Sequence, residues 1–223
     1  MNRTPKEILR SIVTATLGLI VFAFGDYLTI QANIGTRPWD VFAIGLSKKF
    51  GVLYGTASVA IALTIVVIDF LMKEKVGIGM LLDAVIIGKA IDVFNHFNLV
   101  PARQSTVGGI ICLILGIVVL SFAYFFYMRA GLGCGPRDAL LVGLSRKFKK
   151  VPIGAVSITL MGSVTLIGWL LGGPVGLGTI LCVLLEGPIM QAVFKLLHFD
   201  ATAVKHQDIF TSLRVLFGKG TES

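Results

Sequence analysis

The sequence predicts an all-α, polytopic membrane protein made of two tandem repeats, each of three spans plus a short half-helix. Three observations predict it. Hydrophobic residues make up 55% of the 223 and charged residues only 14%, whereas soluble domains carry about 25% charged residues. Apolar runs long enough to cross a bilayer recur along the chain. Finally, the chain repeats itself. Ile34-Gly35-Thr36-Arg37-Pro38-Trp39-Asp40 returns as Leu132-Gly133-Cys134-Gly135-Pro136-Arg137-Asp138, and Gly45-Leu46-Ser47 returns as Gly143-Leu144-Ser145.

The first helix opens at Thr4-Pro5-Lys6-Glu7, a capping-box pattern, and runs to about Ala32. Gly35 and Pro38 then break it. The segment 38–50 is too short for a span, which needs about 20 residues, so it reads as a half-helix. Apolar runs follow at about 52–72 and 78–97, separated by the charged turn Lys73-Glu74-Lys75. Repeat 1 therefore covers 1–100. Repeat 2 covers 101–198, with runs at 107–128, 151–171 and 177–197 and a short helix at 136–148. Gly55 aligns with Gly154, Ser58 with Ser157, and Gly88 with Gly187. The tail, 199–223, is polar, and its Ile209, Leu213, Leu216 and Phe217 form an amphipathic face suited to a membrane surface.

Topology forks at the short segments. If they do not cross, each repeat has three spans and the copies are inverted; if they cross, each has four and the copies are parallel. Segment length favours six spans and inverted repeats, while Lys and Arg counts favour neither. Both arrangements put both termini on the cytoplasmic side.

The net charge of +8 sits mainly at the ends of apolar runs, where it answers to anionic lipid and to membrane orientation. No basic stripe with interleaved aromatics points to nucleic acid. Cys112, Cys134 and Cys182 show no CxxC spacing, and His96, His198 and His206 are scattered, so neither metal nor cofactor is expected. Without a Walker or GxSxG motif, no enzymatic activity is expected either.

The repeated Gly-x-x-Pro-x-Asp reads as a helix start. Gly35 and Gly133 permit a sharp reversal, Pro38 and Pro136 suit the first turn, and Asp40 and Asp138 sit where the positive helix end favours an acid. These carboxyls either cap their helices or form a polar site at the repeat interface, as broken helices do in transporters. Arg37 and Arg137 offer guanidiniums for an anionic group, or partners for the Asp residues. Trp39 reads as a headgroup-level anchor. Asp26, Asp69, Asp83, Lys89, Asp92 and Glu186 lie within apolar runs. Asp26, Asp69 and Asp92 sit near helix ends, where they could snorkel, and Lys89 and Asp92, three apart, could neutralise each other. Lys89 and Glu186 remain as candidate site groups.

These paired signatures, with Trp169-Leu170-Leu171-Gly172-Gly173-Pro174-Val175-Gly176-Leu177-Gly178-Thr179, resemble the bacterial YczE-type membrane proteins of the YczE/YyaS/YitT group. The resemblance spans about residues 10 to 197. It implies a multi-pass protein of the bacterial inner membrane and no particular reaction. Arg37 departs from the family pattern, which more often has a small residue there.

The expected function is a membrane permease for a small polar or anionic metabolite. Its site would lie at the repeat interface and use Arg37, Asp40, Arg137, Asp138, Glu186 and Lys89. Expected partners are the bilayer, the substrate, and either a second copy or a separate energising subunit. The alternative is a non-transporting accessory protein that stabilises a membrane partner.

Overall fold

A computed structural model describes residues 4–200 and, beyond them, 204, 209, 211 and 215. The amphipathic face expected in the tail lies outside the described residues apart from Ile209. The described residues form helices α1 (Pro5–Gln31), α2 (Pro38–Phe50), α3 (Tyr54–Leu71), α4 (Ile78–His96), α5 (Thr106–Arg129), α6 (Pro136–Lys147), α7 (Ile153–Leu170) and α8 (Leu177–Leu196). No strand occurs among them.

Local chemistry sets the boundaries. The capping box forms at Thr4: its Oγ1 accepts from the Glu7 N–H at 3.3 Å, and Glu7 Oε2 accepts from the Thr4 N–H at 2.7 Å. Ser105 caps α5 in the same way through the Gly108 N–H. Pro38 and Pro136 open the two short helices. Five helices (α1, α3, α5, α7 and α8) are long and apolar enough to cross a membrane. The sixth expected span, α4, has 19 residues, about 28 Å of helix. Its Asp83, Lys89 and Asp92 make it the polar member of the set.

α1 and α5 pack antiparallel through small residues. Gly18 lies against Phe126 and Tyr127, Gly25 against Gly116 and Leu120, and the Ala32 carbonyl against Gly109. Small side chains let the two backbones approach, which in lipid is a main source of helix attraction. Around this pair, α4 packs on α1, α8 on α5, α2 on α7, and α6 on α3.

The short helices do not traverse the bundle. Gln31, at the end of α1, lies beside Asn95 and Arg103. The chain then folds back inside, because Arg37 reaches Asp26 on α1. From there α2 returns toward the end it left, where the start of α3 meets Asp92 near the end of α4. α6 behaves likewise at the opposite end, where Arg146 pairs with Glu74 at 3.2 Å.

Candidate functional site

The two chain breaks meet the bundle interior, and the charged side chains converge there. Arg37 precedes Pro38 and is only 9% exposed. Its Nη1 donates to Asp26 Oδ1 at 2.8 Å. Its Nε and Nη2 donate to Glu186 Oε2 and Oε1 at 3.1 and 2.6 Å, a forked contact. The Phe22 ring lies under the guanidinium, 5.6 Å from centroid to Cζ. One arginine thus ties α1, the first break and α8 together.

A second group forms beside it. Asp40, in the first turn of α2, has no accessible surface. Its Oδ1 accepts from the Tyr54 hydroxyl at 2.9 Å, and Arg137 Nη1 lies 3.9 Å away. Arg137 also donates to Ser58 Oγ at 3.4 Å and stacks over Trp39 at 5.4 Å. The Asp83 and Asp138 carboxyls approach each other around Gly135, each within 4 Å of where a Cβ on that glycine would stand. Burying charge is costly unless it is paired, and this cluster is paired only in part. Asp26 Oδ2 and Asp40 Oδ2 are buried without a hydrogen-bond partner. The carboxyls of Asp26, Asp40, Asp83, Asp138 and Glu186 outnumber the guanidiniums of Arg37 and Arg137.

The structure therefore brings together Arg37, Asp40, Arg137, Asp138 and Glu186. Lys89 does not join them: it is exposed on α4, and no ion pair reaches it among the described residues. The expected Lys89–Asp92 pair is replaced by a bond from the Gly55 N–H to Asp92 Oδ1 at 2.7 Å. Both arginines are engaged by carboxyls, so neither is a free anion-binding group. Asp26 does not snorkel, because it is fully enclosed and Arg37 meets it inside the bundle. Asp69 is also fully buried, with neither carboxylate oxygen partnered. Trp39 is 7% exposed and sits in the core with Ile61, Ile65 and Val164 instead of anchoring at a surface. Tyr54 and Ser58 also join the site; Ser58 aligns with Ser157 in the sequence, but one tyrosine and one serine in apolar runs look like packing. Among the described residues, no cluster of three or more His, Cys, Asp or Glu could hold a metal ion.

The breaks are locked by backbone contacts. Gly35 (φ 98°) and Gly133 (φ 115°) take left-handed conformations that disfavour a side chain. Gly35 abuts Gly176, and Gly133 abuts Gly77. Each break thus rests on the first turn of the last helix of the other half.

A profile described as a family of unknown function (DUF6198) matches residues 9–195. An uncharacterized membrane protein, YczE, of Bacillus subtilis is 38% identical over 176 residues, covering 78% of this chain and 80% of that protein. An uncharacterized protein of Haemophilus influenzae is 33% identical over 181 residues, covering 79% and 82%. The uncharacterized protein YyaS of Bacillus subtilis is 29% identical over 189 residues, covering 82% and 92%. No solved structure matches.

Proposed function

The chain belongs to this DUF6198 family and is a multi-pass membrane protein, and from that premise we propose that it is a permease for a small polar metabolite. The observation that carries the reading is the buried network Asp26–Arg37–Glu186 with its neighbour Asp40–Arg137. Buried ion pairs are weak sources of stability, and ionisable groups inside a membrane bundle mark substrate or ion pathways. Here they gather where two helix breaks face the interior from opposite ends, the arrangement expected of a site between inverted halves.

In this reading the unpartnered oxygens of Asp26 and Asp40 face a site for a proton or a substrate donor. A proton held there would supply the coupling ion, since no nucleotide-hydrolysing motif is present. Orientation follows from charge. Lys6, Arg10, Lys73, Lys75, Arg129, Arg146, Lys147 and Lys195 lie toward one end of the bundle, and Lys48, Lys49 and Arg103 toward the other. The richer end faces the cytoplasm.

The test is a thermal-shift screen against vitamins, amino acids, nucleobases and organic acids, using wild type and Asp40→Asn/Asp138→Asn. Hits then go to uptake into proteoliposomes under an imposed proton gradient. The expected result is a compound that stabilises wild type alone and accumulates only with wild type. Uptake undiminished in a folded double variant overturns the site.

A further inference from the structure

Arg37 and Gly135 hold the same place in the two Gly-x-x-Pro-x-Asp motifs, each directly before the proline. Their backbones agree as well: φ −62° and ψ 150° at Arg37, φ −62° and ψ 156° at Gly135. Any residue adopts that extended conformation, so the chain path at 135 does not call for glycine. What glycine provides there is the absence of a side chain. At the first break a guanidinium projects from this position and is held by two carboxylates, Asp26 and Glu186. At the second break two carboxyls stand at the position and the chain supplies no cation between them. A Cβ built on Gly135 would lie 3.1 Å from Asp83 Oδ2 and 3.6 Å from Asp138 Oδ2.

Neither of these carboxyls has an ion pair among the described residues. Both side chains are half-buried, and their oxygens are not among the polar atoms sealed from water, so they border an open space. Arg137, the neighbour of Asp138 in the chain, contacts Asp40, Ser58 and Trp39 instead. Tyr127 gives a second, independent sign of a missing partner. It is 2% exposed, and its hydroxyl has no hydrogen-bond partner, although buried polar groups are normally paired. The ionisable side chains that act on this hydroxyl are Asp83, Cys134, Asp138 and Tyr124, with Asp83 foremost.

We propose that the second break binds a guanidinium-type organic cation, held by Asp83 and Asp138 across Gly135 with the Tyr127 hydroxyl as a further acceptor. The ligand's planar fork of N–H donors takes the part that Arg37 plays at the first break. The excess of carboxyls over guanidiniums around the two breaks disfavours an anion. The proposal deepens the permease reading by naming a ligand class; it rests on that reading for transport, and binding is tested apart from it.

The test is equilibrium binding of radiolabelled guanidinium and of radiolabelled urea, a neutral molecule of nearly the same shape. Purified protein in zwitterionic nanodiscs is used, with empty nanodiscs subtracted. Wild type is expected to bind guanidinium saturably and at least tenfold tighter than urea. Gly135→Arg supplies a tethered guanidinium on a backbone that already carries arginine at 37. It is expected to abolish guanidinium binding while keeping the thermal unfolding midpoint at or above that of wild type. Asp83→Asn is expected to weaken guanidinium binding at least tenfold. Equal binding of guanidinium and urea by wild type, or full guanidinium binding by folded Gly135→Arg or Asp83→Asn, overturns the proposal. If Gly135→Arg does not fold, the wild-type comparison and Asp83→Asn decide. Guanidinium binding without uptake into proteoliposomes would support the site and count against the permease reading. Uptake of another compound without guanidinium binding would overturn the site and leave that reading standing.

Discussion

The Gly178 N–H donates to the Ile34 carbonyl at 2.7 Å, joining the start of α8 to the first chain break. Its counterpart joins the start of α4 to the second break, from the Gly79 N–H to the Leu132 carbonyl at 2.9 Å. Each break exposes backbone groups away from helical partners, and lipid would leave them unsatisfied. The opposite half supplies a donor. The two halves therefore hold each other's irregular segments in place.

Gly35 and Gly172 separate strain from crowding. Both have positive φ, 98° and 92°, but a side chain at Gly35 meets Gly176 and Thr179, whereas Gly172 faces open space. Gly172→Ala is expected to cost about 1 kcal/mol and Gly35→Ala about 3 kcal/mol, the range for backbone strain. Thermal unfolding of the purified variants reads the difference. Equal losses would mean that the break does not rest on α8.

Removing Arg37 leaves the buried Asp26 and the half-buried Glu186 without their cation. Arg37→Gln is expected to destabilise by about 3 kcal/mol, as when one partner of a buried pair is lost. Adding Glu186→Gln should recover more than about 1 kcal/mol, because sites in one network are coupled. Additive losses in this double-mutant cycle would contradict the shared contact.

Lys89 lies on the outer face of α4, away from the cluster. Lys89→Ala should change stability by no more than about 0.5 kcal/mol, the usual size for an exposed site. It should also leave ligand binding in the thermal-shift screen unchanged. A lost ligand shift would return Lys89 to the site.

Orientation can be read on intact cells. A cysteine replacing Lys49 or Arg103 should react with a membrane-impermeant maleimide, and one replacing Lys149 should not. The reverse pattern would turn the molecule over.

Much of the fold was legible because its signals are local and repeated. The capping box at Thr4, the prolines opening α2 and α6, and the length of each apolar run are short-range chemistry. The reading of short segments as half-helices rested on length alone. Site residues were less legible. Arg37, Asp40, Arg137, Asp138 and Glu186 stood out as charges among apolar neighbours, yet sequence spacing could not pair Arg37 with Glu186, 149 positions away. Lys89 carried the same signal and lies outside the cluster, because rotation of α4 turns it outward. Trp39 looked like an anchor until packing against α3 and α7 enclosed it.

The sequence by itself determined a helical membrane chain with two similar Gly-x-x-Pro-x-Asp breaks, since hydropathy, helix caps and breakers are written in neighbouring residues. Tertiary structure alone decided which charges share one guanidinium, which carboxylate oxygens stay unpartnered, and that Gly154 and Gly187 remain apart while Gly55 and Gly88 touch. The physical reason is that pairing and packing depend on the rotation and distance of helices far apart in the chain. A residue's type and spacing along its own helix do not specify either one.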